Sequence, residues 1–138
     1  MRIEGWEKRL KQVVERHRGI PGQWGVSDCW TLATDAHEAV TGEVLAPQLR
    51  RYKSEAGGYK LFAKHGFTTV GEALAAHLPG CPVLMAQRGD LGVIERGGVE
   101  SCGVVTSTGV AVKTLYDDGT SQLEFHPVTS LIRAFKVS

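Results

Sequence analysis

The chain has 138 residues, 42% hydrophobic and 22% charged, with a formal net charge of +1 at pH 7. That balance fits one folded domain around one core and excludes a disordered chain. The near-neutral charge also argues against a nucleic-acid partner, despite a small basic cluster at Arg50, Arg51 and Lys53.

Ile3, Trp6, Leu10, Val13 and Val14 recur at helical spacing among charged residues, predicting an amphipathic helix over residues 3–17. Such a helix either caps its own domain, the reading favoured here, or docks into a partner's groove. "RGIPGQWG" ends it, because Gly19, Pro21 and Gly22 favour a turn or extended approach. A second helix starts at Ser27 or Asp28, both good N-caps, and runs through Leu32, Ala36 and Val40 to the stop at Thr41-Gly42. Residues 43–53 read as an irregular connection with a short turn. Two short helices follow, capped by Ser54 and Thr69.

After Cys81 the pattern changes. "LGVIER", "SCGVVTS", "GVAVKTLYDD", "SQLEFHPV" and "LIRAFKV" are short, rich in β-branched and aromatic residues, and separated by glycine-containing turns. They predict a meandering antiparallel sheet of about five strands. Helices first and strands second is the α+β arrangement, with the helices packed on the sheet. The chain divides into an N-terminal helix (1–20), a helical half (21–80) and a sheet half (81–138), all within one domain.

No apolar run approaches the roughly 20 residues that span a bilayer, and "MRIEGWEKRLKQVVERH" is too charged for a signal peptide. Synthesis in the cytoplasm without membrane insertion is expected. Cys29, Cys81 and Cys102 are widely separated, with no C-x-x-C pair, which argues against a disulfide framework and a structural zinc site. No metal or cofactor is expected. Cys81 and Cys102 read as small buried apolar residues, whereas Cys29 opens the second helix. There the helix dipole and unpaired amides favour a thiolate and could hold an oxyanion.

"GQWGVSDC" before a helix, "TG" after it, "RYKSEAG" (51–57), "AQRGD" (86–90) and the strand "SCGVVTSTG" occur in that order. This set resembles the phage and prophage tail-associated branch of the NlpC-like, papain-like cell-wall cysteine peptidases, over roughly residues 20–138. The resemblance implies a nucleophile helix packed against a sheet, and a place in the tail-tip or baseplate region of a siphophage-type virion. Its partners there would be hub, distal-tail and central-fibre proteins, with peptidoglycan as the possible substrate.

In active relatives the second core strand starts with the catalytic histidine, in an "H-V-G-I" pattern. Laying "SCGVV" on that pattern puts Ser101 at the histidine position and Lys113 or Thr114 near the position that orients the imidazole. A papain-like cysteine depends on an adjacent imidazole to become a thiolate and to protonate the leaving amine. The resemblance therefore implies a pseudoenzyme with Cys29 as a vestigial nucleophile, serving in tail assembly. The alternative is an active peptidoglycan endopeptidase that uses His126, or a residue from a partner, as the base. His37 lies two turns along the cysteine helix, about 12 Å away by helical rise, and cannot serve. His17, His65 and His77 read as helix-end residues.

"RGD" at 88–90 reads as a turn into a strand, Asp117-Asp118-Gly119 as a hairpin turn rather than a calcium loop, and Trp6, Trp24 and Trp30 as core or interface anchors.

Overall fold

A computed structural model describes residues 1–138. Its helices are α1 (Trp6–Gly19), α2 (Cys29–Thr41), α3 (Glu55–Lys64) and α4 (Val70–His77). Six strands follow: β1 (Gly80–Cys81), β2 (Leu91–Arg96), β3 (Val99–Thr106), β4 (Gly109–Leu115), β5 (Ser121–His126) and β6 (Arg133–Phe135). All pairings are antiparallel, in the order β1-β6-β2-β3-β4-β5. The α+β class is as expected. The sheet differs in having six strands rather than about five, and β6 leaves the meander to lie between β1 and β2. No helix is long and apolar enough to cross a membrane.

Strand alternation divides the sheet side chains between two faces. Leu91, Val93, Cys102, Val104 and Ala111 pack against Leu32, Ala33 and Ala36 of α2, with Leu10 and Val14 of α1 in the same core. Ile94, Val105, Val110, Val112, Leu131 and Ala134 form a smaller cluster on the opposite face. The register pairs Val104 with Ala111, Val105 with Val110 and Thr106 with Gly109, and bridging stops there. Beyond that point β3 (99–102) and β4 (113–115) separate.

The amphipathic N-terminal helix caps its own domain. Besides its apolar face, it buries the imidazole of His17 between two polar partners: Nδ1 is 2.8 Å from Ser27 Oγ and Nε2 is 2.8 Å from Asp35 Oδ2. An Nε2–H tautomer donates to Asp35 and accepts the Ser27 hydroxyl, satisfying both contacts. Arg16 and Arg50 complete the cluster on Asp35, at 2.8 and 2.9 Å. Burial alone would raise the Asp35 carboxyl, but the hydrogen bond from His17 and the charge and hydrogen bond of Arg50 lower it below the ordinary carboxylate range. A carboxylate lowered in this way stabilises the fold above its unfolded pKa, and that stabilisation is lost as pH falls through the folded value. Urea unfolding at a series of pH values should therefore show stability falling below about pH 4, with a shallower acid limb in Asp35→Asn.

A second buried carboxylate joins the ends of the chain. Asp90 accepts hydrogen bonds from Arg2 Nη2, Lys136 Nζ and the amides of Gln87 and Val137, at 2.8–3.0 Å, and is fully buried. It lies in the turn that leads into β2, as the sequence reading expects. Asp117-Asp118-Gly119 forms the β4–β5 turn, where Asp118 accepts from the Thr120 amide and hydroxyl.

Candidate functional site

Asp28 builds the start of α2. Its Oδ1 accepts the Thr31 amide at 2.8 Å, and the Thr31 hydroxyl accepts the Asp28 amide in return, which closes a capping box. Its Oδ2 accepts the Gly25 amide at 2.8 Å and the Tyr52 hydroxyl at 2.7 Å. One buried carboxylate thus fixes the helix start, the loop before it and the "RYKSEAG" segment. The Tyr52 hydroxyl is pushed far above its usual range, first by burial and then by the Asp28 charge that it faces. Gly25, at φ 82°, is required here because a Cβ would stand 2.0 Å from the Tyr52 carbonyl oxygen.

Cys29 occupies the first turn, half-buried, at the edge of a cleft of about 500 Å³. Trp24, Asp28, Tyr52, Tyr59 and Phe62 line one side, and Ser101 and Lys113–Asp117 the other. The cleft opens where β3 and β4 separate, and Cys29 packs against the clusters on both faces of the sheet. The amides of Cys29 and Trp30 have no acceptor within the chain, as expected for the first turn of a helix.

The other candidate residues are placed differently. Ser101 lines the cleft, but alternation along β3 turns Cys102, not Ser101, toward α2, and the Cys102 thiol lies 3.4 Å from the Cys29 carbonyl oxygen. The Lys113 ammonium donates to the carbonyls of His17 and Ile20, so it caps the end of α1 instead of orienting an imidazole. Burial lowers its pKa. Thr114 donates to Glu124 and accepts from Arg96.

His126 does not line the cleft. It pairs across the sheet with Val110, at the end of β4 away from Lys113–Leu115, and Nε2 lies 3.1 Å from Glu124 Oε1. His37 contacts the Glu43 carbonyl, His77 the Ala73 carbonyl, and His65 is the exposed C-cap of α3. His17 is the exception among the helix-end histidines, fully buried in the Ser27–Asp35 pair. Its place could have been read from spacing, since Leu10, Val14 and His17 share one helical face. Nothing in the sequence links Cys102 to Cys29 across 73 positions, or Tyr52 to Asp28 across 24.

The arrangement offers a thiol, unpaired amides suited to an oxyanion and an open cleft, but no imidazole to remove or return a proton. Residues 1–137 match the model of the DUF6950 family, described as a domain of unknown function. The chain belongs to that family. No curated protein and no solved structure matches this DUF6950 chain.

Proposed function

We propose that this DUF6950 chain is a structural or assembly component of a siphophage-type tail tip, on a papain-like NlpC fold whose peptidase chemistry has lapsed. The carrying observation is the set of groups around Cys29: its cleft contains none of the five histidines. Without an imidazole, the thiol lacks both the base that activates it and the acid that protonates the leaving amine, a contribution of roughly 10²–10⁴-fold. The ordered motifs from "GQWGVSDC" to "SCGVVTSTG" support the tail assignment, and hub, distal-tail and central-fibre proteins are its proposed partners in the virion.

Purified protein and Cys29→Ala, incubated side by side with peptidoglycan fragments, are expected to give identical product profiles by chromatography and mass spectrometry. Cleavage by the wild type that is absent from the variant would establish the alternative, an active cell-wall endopeptidase, and end the pseudoenzyme reading.

A further inference from the structure

We propose that Cys29 and Cys102 form a peroxide-responsive dithiol, in which oxidation of the cleft-facing Cys29 is captured by the buried Cys102 as an intramolecular disulfide. All three cysteines are free thiols in the structure. Cys102 is fully buried on β3, with its thiol 3.4 Å from the Cys29 carbonyl oxygen, against the residue that opens α2. Cys29 alone of this pair lines the cleft. An oxidant arriving from solvent therefore meets Cys29 first, because Cys102 has no exposed surface.

Cys81 is not a competing partner. It lies on β1, which is separated from β3 by β6 and β2, so three strand spacings put it about 14 Å from Cys102.

The chemistry balances with hydrogen peroxide as the oxidant. The Cys29 thiolate attacks one peroxide oxygen, the O–O bond breaks, and the departing hydroxide takes a proton to become water, leaving a sulfenic acid. The Cys102 sulfur then attacks the Cys29 sulfur, the S–O bond breaks, and the leaving hydroxide takes the Cys102 proton as a second water. Two thiols and one peroxide become one disulfide and two waters. The product ties the first turn of α2 to β3 and removes the thiol from the cleft, whether or not the cleft hydrolyses amides.

The test uses the full chain, reduced and then treated with hydrogen peroxide, with free thiols alkylated after denaturation. The expected result is an intact mass lower by two hydrogens before alkylation, a peptide pair joining Cys29 to Cys102, and an alkylated Cys81. Cys102→Ala should lose the link and retain a sulfenic acid at Cys29 that dimedone traps. Cys29→Ser should leave Cys102 reduced under the same treatment. Cys29 that stays reduced, advances to sulfinic acid while Cys102 is still alkylated, or joins a second chain would overturn the proposal.

Discussion

Alanine in place of Asp28 is expected to lower the unfolding free energy by about 4 kcal/mol, with about 1 from the helix cap and about 1.5 from each of two stranded donors. The donors are the Gly25 amide and the Tyr52 hydroxyl, both held by Oδ2 and both shielded from full hydration. At this chain length the loss corresponds to a fall in Tm of roughly 12 °C, readable by calorimetry. Asp28→Asn should fall between the two, because one carbonyl oxygen cannot replace both carboxylate oxygens around the cradle. Tyr52→Phe removes a single hydroxyl and should lose about 1.5 kcal/mol. A loss below about 1 kcal/mol in Asp28→Ala would mean that the carboxylate serves only as a cap.

Gly25→Ala is the second large effect, expected at about 3 kcal/mol or more, because left-handed strain and a backbone collision act together. A Cβ at Gly25 meets the Tyr52 carbonyl oxygen at 2.0 Å, and a backbone oxygen cannot rotate away as a flexible side chain can. Gly66→Ala is the matched control. It has a similar φ of 89° with nothing within 4 Å of the added carbon, so it should carry the strain alone, about 1 kcal/mol. Urea titrations of the two variants separate the collision from the strain. Equal losses would show that the loop carrying Tyr52 yields to its neighbour.

Local signals in the sequence were sufficient for most of the elements. Ser54 and Thr69 cap α3 and α4 as expected, and of the two candidates for α2, Ser27 and Asp28, Asp28 is the cap. The five β-rich segments became β2 to β6. The two-residue β1 escaped because Gly80 and Cys81 have no pattern of their own and are strand only through pairing with Phe135 and Ala134. The insertion of β6 beside β2 is likewise a long-range fact, with no turn signal to announce it.

At the site, the helix start that carries Cys29 was legible, while its surroundings were not. Ser101, laid on the histidine position by the resemblance, lines the cleft, yet the alternation of β3 presents Cys102 to the helix. Lys113 stands near the position that the resemblance gives to the residue orienting the imidazole, but two carbonyls at the end of α1 claim its ammonium. Both differences arise from contacts between residues more than seventy positions apart, where composition and periodicity carry no information.

Asp90 has a topological consequence. Because one carboxylate grips Arg2 as well as Lys136 and Val137, residue 2 and residues 136–137 are held at the same corner of the fold. Cargo fused at either end would emerge side by side, and anything that pulled on one end would load the other through a shared anchor.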